Sequence, residues 1–238
     1  MVKEEYGCLY RSDETTNRIC RVIFSLDINL KKIVVYNGRN IRRMDTRFTE
    51  ALYLKHLAET VQKRHSYAWR RNRKWLDIIE ALHRRSRNIV VDQSRKFAKY
   101  IVLKAKRTRS AIVLEDLEKL WFNSSQKSKT LADKLSRFAY RKLQVAIITK
   151  AVEYNVPLML VNPRNTSTTC PRCSARPAYN HRLAICRNCG FTADRDTIGA
   201  INIYLKAIQA LAPRLGSWGT HPMTNETERR VGHPKMSR

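Results

Sequence analysis

Two cysteine pairs and a few acids carry the chemistry in this sequence. Cys170-Pro-Arg-Cys173 and Cys186-Arg-Asn-Cys189 are separated by twelve residues, a spacing that lets four thiolates surround one tetrahedral zinc in a zinc ribbon. Four thiolates leave no open coordination position, so such a zinc stabilises the fold and does no chemistry. His181 lies between the pairs and is not needed as a ligand. Arg172, Arg176, Arg182 and Arg187 make the segment basic, which suits nucleic-acid contact or a purely structural clip. Cys20 opens an apolar run and reads as a small buried hydrophobe. Nothing assigns Cys8.

The acids occupy the ends of apolar segments. Asp27 sits in SLDIN, Glu115 and Asp116 end AIVLEDL, and Asp194 and Asp196 open the last helical stretch. Taken singly, Asp27 reads as a turn residue and Asp194 as a helix cap. Taken together, two strand ends and a helix start bring three carboxylates to one place. Converging carboxylates raise one another's pKa unless cations neutralise them. Magnesium or manganese would do so, and two such ions about 4 Å apart would clamp the attacking water and the leaving oxygen of a phosphodiester.

The whole chain is built to meet a polyanion. Its 47 Lys and Arg stand against 20 Asp and Glu, a formal charge of +27, so nucleic acid is the first partner to consider. A basic surface with no dedicated ligand is the alternative. A hydrophobic content of 43% over 238 residues is enough for a real core. The N-terminal stretch has no apolar run of signal-peptide length, and no segment approaches the roughly 18 apolar residues that span a bilayer. A cytoplasmic, prokaryotic nucleoid-associated protein with no membrane partner is expected, and there paired cysteines argue for metal over disulfides.

The elements that must position these residues follow from periodicity. Residues 20 to 44 read as a three-stranded antiparallel meander with Asn37-Gly38 at one turn. Residues 45 to 110 read as two long helices broken near HSYAWRRNRKW. Between 61 and 110, sixteen Lys or Arg face only Asp77, Glu80 and Asp92, with Tyr67, Trp69 and Trp75 among them. Arginines interleaved with aromatics contact phosphates and stack on bases. Arg70, Arg71, Arg73, Lys74, Arg84, Arg85, Arg87 and Arg95 are therefore the candidate nucleic-acid contacts. AIVLEDL reads as a buried strand, FNSSQKSK as a polar loop, and Leu131, Leu135, Phe138, Ala139, Leu143 and Ala146 recur at helical spacing. VPLMLVNP is a further buried strand, DRDTIGAINIYLKAIQAL a last helix, and the tail from Pro213 is expected to be extended or disordered.

The ordered set SLDIN, VLEDL, NPRNTSTTCPRC with CRNCG, and DRDTIGAINI resembles the RuvC-like nuclease half of TnpB proteins, transposon-encoded relatives of type V CRISPR effectors. The resemblance covers roughly residues 20 to 215. It implies an α/β, RNase H-like (RuvC-like) mixed sheet flanked by helices: a core over 20–165 with a basic helical insertion at 45–110, a zinc ribbon inserted at 166–192 and a final segment at 193–212. It further implies that Asp27, Glu115 and Asp196 are the catalytic acids holding two Mg²⁺ or Mn²⁺ ions, beside one structural Zn²⁺. The implied activity is metal-dependent, two-metal hydrolysis of DNA phosphodiester bonds, directed by a guide RNA from the transposon end that would lie against residues 61 to 110. Ile198 replaces the Asn that commonly follows the last acid by two positions, and Ser174 replaces a common glycine after the first cysteine pair. Family members carry a substantial N-terminal recognition portion, whereas here a lead of 1–19 precedes the core. That portion is expected to be missing or supplied in trans, and the rival expectation is a truncated nucleic-acid-binding remnant without programmed cleavage. A guide-independent nuclease shares the same chemistry.

Overall fold

The computed structural model of the chain describes residues 22–116 and 131–215. A meander opens it: β1 (Val22–Ile28), β2 (Lys32–Tyr36) and β3 (Ile41–Asp45) pair antiparallel in sequence. The second turn is fixed by Asn37, whose Oδ1 accepts from the N–H groups of Arg39 and Asn40 at 3.1 and 2.7 Å. Gly38 there has φ +87°, and a Cβ on it would lie 2.6 Å from the Tyr204 hydroxyl, so the turn needs glycine on both counts.

Helix α1 (Phe48–Arg64) and the long α2 (Arg73–Arg107) follow, with turns over 65–71 between them. Asn72 caps α2 by accepting from the Lys74 N–H at 3.0 Å. Strand β4 (Ser110–Glu115), helix α3 (Leu131–Glu153) and strand β5 (Leu158–Val161) complete the main sheet. The strand order is β3-β2-β1-β4-β5, with β1, β4 and β5 parallel. Strands buried on both faces read as unbroken apolar runs, which is why AIVL and LMLV lack alternation.

One face of the sheet, with Phe24, Leu26, Ile33, Val35, Ile112 and Leu114, packs in a common core with residues of α1, α2 and α3. Ala51 on α1 and Ser86, Ala98 and Ala105 on α2 are small and buried, and the Ser86 hydroxyl donates to the Ala51 carbonyl at 2.7 Å. The opposite face is covered by helix α4 (Arg195–Leu215) and the cysteine segment. That segment forms a second sheet, β6 (Ala178–Asn180), β7 (Leu183–Ile185) and β8 (Thr192–Asp194), all antiparallel.

Helix α4 continues through Pro213 to Leu215, so a tail boundary at Pro213 is three residues early. A proline removes one N–H bond, and the preceding helix, docked on the sheet, carries the backbone past it. FNSSQKSK, Cys8 and Cys20 lie outside the described residues.

Phe48, at the first turn of α1, is fully buried in the larger core. Phe48→Ala should cost about 3–5 kcal/mol, read as a lower urea midpoint with an unchanged slope.

Candidate active site

Strands β1 and β4 set two of the acids side by side. Their parallel register pairs Ser25 with Val113, and two residues further along, Asp27 is level with Glu115. Side chains alternate along a strand, so while Leu26 and Leu114 enter the larger core, Asp27 and Glu115 fall on the face that carries Ile23, Val113 and helix α4.

The third acid comes from α4. Asp194 ends β8 and its Oδ1 accepts from the Asp196 N–H at 3.0 Å, the hydrogen bond of a helix N-cap. Asp196 is thereby left in the first turn, 5% exposed. Asp196, Gly199, Ala200, Ile203 and Ala207 follow one another at helical spacing along the stripe that meets the sheet. The Ser25 hydroxyl, fully buried, donates to the Ala200 carbonyl at 2.7 Å. At Gly199 a Cβ would lie 2.8 Å from Asp27 Oδ2 and 3.1 Å from its Cγ. Only glycine lets the helix come this near to the carboxylate.

The charges are not at ease. Burial, then the neighbouring Glu115 carboxylate, push Asp27 up to about 7, against a hydrogen bond from Asn29 Nδ2 at 3.0 Å. Asp196 adds to the upward push and Arg182 opposes it. Burial also raises Glu115, opposed by a 2.6 Å hydrogen bond from the Thr166 hydroxyl and by Lys206. Asp196 is paired with the chain's own cations: Arg182, from the β6–β7 turn, donates to its Oδ2, and Lys32 Nζ lies 3.9 Å away. The same two cations lie 3.7 Å from Asp194. The three acids thus meet at one pole of the sheet without collapsing together. Among the described residues, only four cysteines gather as three or more possible metal ligands within 4.8 Å.

Those are Cys170, Cys173, Cys186 and Cys189. Sγ–Sγ distances of 3.6 Å for Cys170–Cys189 and 3.4 Å for Cys173–Cys186 are far too long for disulfides and near the edge of a tetrahedron with bonds of about 2.3 Å, roughly 3.8 Å. Ser174 and Gly190, one residue past each pair, have φ of +61° and +72°, the left-handed turn each knuckle needs. Ser174 takes that strain where glycine would not. A hydrogen bond from Asn188, joined by one from the Ala175 backbone, holds the Cys173 thiol down to about 6, while burial pushes Cys170 up to about 12. His181 is exposed and stands at a turn with φ +52°, outside the cysteine group.

The candidate nucleic-acid contacts are all exposed: Arg70, Arg71, Arg73, Lys74, Arg84, Arg85, Arg87 and Arg95. Two have acidic neighbours, Arg73 with Asp77 at 3.1 Å and Arg85 with Glu50 at 3.7 Å. Arg47, Arg84, Arg85 and Asn88 line a shallow groove between the start of α1 and α2. The aromatics are partly engaged within the chain, Trp75 stacked on His65 at 3.8 Å and Trp69 under Arg70 at 4.5 Å. Tyr67 is 96% exposed.

Sequence reasoning passed over Lys32, Thr166, Gly199 and Asn202, and took Arg182 only as one of the basic residues of the cysteine segment, not as a partner of Asp196. Asn202 had a signal, a lone amide inside the apolar run TIGAINIYL, where an unpaired amide is costly. It pays off structurally: Nδ2 donates to the carbonyls of Thr166 and Thr169 at 2.7 and 2.8 Å.

Asp27 titrates near 7 in the fold against 3.8 in an open chain, so the folded state holds more protons between those values and loses stability as pH rises through them. Asp27→Asn should therefore leave stability nearly unchanged at pH 4 and raise it at pH 8, by roughly 2–4 kcal/mol, as read by denaturant titration at both pH values. No pH dependence of the difference would contradict the raised carboxyl. For the knuckle, Cys186→Ser should lose zinc by elemental analysis and lose solubility.

The family model for the Cas12f1-like TNB domain matches residues 140–203. TnpB-like protein MJ0751 of Methanocaldococcus jannaschii is 28% identical over 82% of this chain and 67% of its own length. A putative transposase of the same organism, MJ0856.1, is 35% identical over 27% of this chain and 67% of its own length. The fold resembles that of a Cas12f1 chain seen in an sgRNA–target DNA complex, with TM-score 0.50 and 20% identity over 76% of this chain. This chain spans 49% of that one and two thirds of the first relative. No helix among the described residues is long and apolar enough to cross a membrane. The five-stranded mixed sheet, the four-cysteine knuckle and these likenesses together place the chain in the TnpB family.

Proposed function

We propose that this chain carries the nuclease centre of a TnpB-type, RNA-guided DNA endonuclease, built on an RNase H-like (RuvC-like) fold with an inserted zinc ribbon. The observation that carries the reading is the meeting of Asp27, Glu115 and Asp196 at one pole of the sheet, with Gly199 making room for Asp27 under α4. Three acids from strand ends and a helix start are an oxygen donor set of the kind that hard divalent cations take. The upward push on Asp27 and Glu115 is the repulsion such cations would relieve. Asp27, Glu115 and Asp196 would hold Mg²⁺ or Mn²⁺, which when bound supplies an activated water and neutralises phosphodiester charge. Asn29 and Thr166 orient the carboxylates. The ribbon, holding one zinc at Cys170, Cys173, Cys186 and Cys189, serves structure.

DNA is the proposed target and RNA the guide. The Cas12f1 chain of similar fold was captured with sgRNA and target DNA, and the exposed arginines of α2 and the preceding turn offer a comparable polyanion a surface here. A second reading, a binding remnant that does not cut, draws support from one feature: Arg182 and Lys32 already neutralise Asp196.

The two readings separate by mutation. Asp27→Ala, Glu115→Ala and Asp196→Ala should each abolish Mg²⁺-dependent DNA cleavage, assayed with co-purifying RNA retained. Each should leave duplex binding nearly intact, with affinity falling steeply as salt rises, at a log–log slope near −0.9 per neutralised phosphate. Asp194→Ala and Asp116→Ala should keep much of the activity. A wild-type chain that binds but never cuts establishes the remnant, and a dead Asp194→Ala beside an active Asp196→Ala moves the third ligand to the helix cap.

A further inference from the structure

The loop between β5 and the first cysteine pair is sewn to α4 and reaches back to Glu115. We propose that Thr166 is a positioning residue that sets the Glu115 carboxylate for cation binding, and that Asn202 couples that setting to the cysteine knuckle. The proposal rests on the metal-binding role given to Glu115 above.

Thr166 is 4% exposed and its hydroxyl donates to Glu115 Oε1 at 2.6 Å. The Pro163 carbonyl, at 2.9 Å, is a second acceptor for the same single hydrogen. An ionised carboxylate makes the shorter and stronger bond, so the hydrogen goes to Glu115. The last torsion of a glutamate is broad and weakly held on its own; one short hydrogen bond to a fixed partner selects its orientation. The other end of the residue is also anchored at its backbone, where Gln144 Nε2 donates to the Glu115 carbonyl at 2.9 Å.

Thr166 is itself held. Asn202, 7% exposed, gives hydrogen bonds to the Thr166 carbonyl and to that of Thr169, the residue before Cys170. One turn along the same helix, Lys206 Nζ donates to the Asn162 carbonyl at 2.8 Å and to that of Arg164. Helix α4 therefore grips residues 162–169 at two points while carrying Asp196 in its first turn. Glu115 and Asp196, 81 residues apart in the chain, are referred to one rigid frame.

The test uses the full chain with Mn²⁺ as probe, its binding followed by loss of the free-ion EPR signal, and with zinc content and thermal midpoint as folding controls. Thr166→Val keeps the shape and removes the hydroxyl; it should weaken Mn²⁺ binding about 10-fold or more, the usual size of an outer-shell effect, with zinc retained. Thr166→Ser should restore it, which a merely space-filling role would not require. Should the valine variant fail to fold, Thr166→Ala is read in its place. Mn²⁺ affinity equal to wild type in the folded hydroxyl-free variant, while Asp27→Asn loses binding, overturns the role of Thr166 alone. Binding indifferent to Asp27→Asn, or absent from wild type, overturns the metal-site reading and this inference with it.

Discussion

The close approach of α4 to β1 is the constraint on which the candidate centre depends. Ser25 and Ala200 fasten the two backbones through a buried hydrogen bond, and Gly199 leaves no Cβ where the Asp27 carboxylate stands. Move the helix outward by the width of a methyl group and Asp196 leaves the pole where Glu115 and Asp27 meet. The apolar contacts below, among Ile23, Val113, Ile203 and Ala207, fix the same spacing by packing, and well-packed interiors adjust poorly to added volume. The acids are thus positioned by sheet and helix, elements stiffer than loops.

Opposed charge is distributed with comparable economy. The long helices carry their arginines outward, while the acids that count are turned toward the interior face of the sheet. Lys32, Arg182 and Lys206 surround that acidic pole, so much of its field is cancelled from within the chain. Because Arg182 sits in the turn between β6 and β7, the knuckle domain contributes to the electrostatics of the sheet edge as well as to the cover over it. A buried charge is tolerated when it is paired, and Asp196 meets that condition without any external partner; Asp27, flanked by Glu115, does not meet it as well.

Much of this was legible in the residues. Asn37-Gly38 announced its hairpin because only a few residue types accept the backbone that such a turn demands. The cysteine spacing announced its cluster, because thiolates that share one ion must lie close. Asp27 and Glu115 could be placed at strand ends from apolar runs alone. What could not be read was the pairing of distant segments: Lys32 and Arg182 look like ordinary surface cations in sequence, and Thr166 looks like one hydroxyl among several in NTSTT. Their meaning arises from register and from helix docking, which no local pattern encodes. The choice between Asp194 and Asp196 was also beyond periodicity. Their settings differ in the fold: Asp194 accepts the cap hydrogen bond, and Asp196, two residues on, is the more buried of the two.

The wide separation of positions 27, 115 and 196 along the chain has a temporal side. The strand that carries Asp27 leaves the ribosome well before α4 does, and the acidic pole has no third member until that helix has been made and has docked. Contacts of long sequence range form late because the intervening chain must first be closed. A nascent chain made as far as the basic helices would present their positive charge before the three carboxylates could come together. The order in which the basic helices and the acidic pole can form is thus set by the order of their segments along the chain.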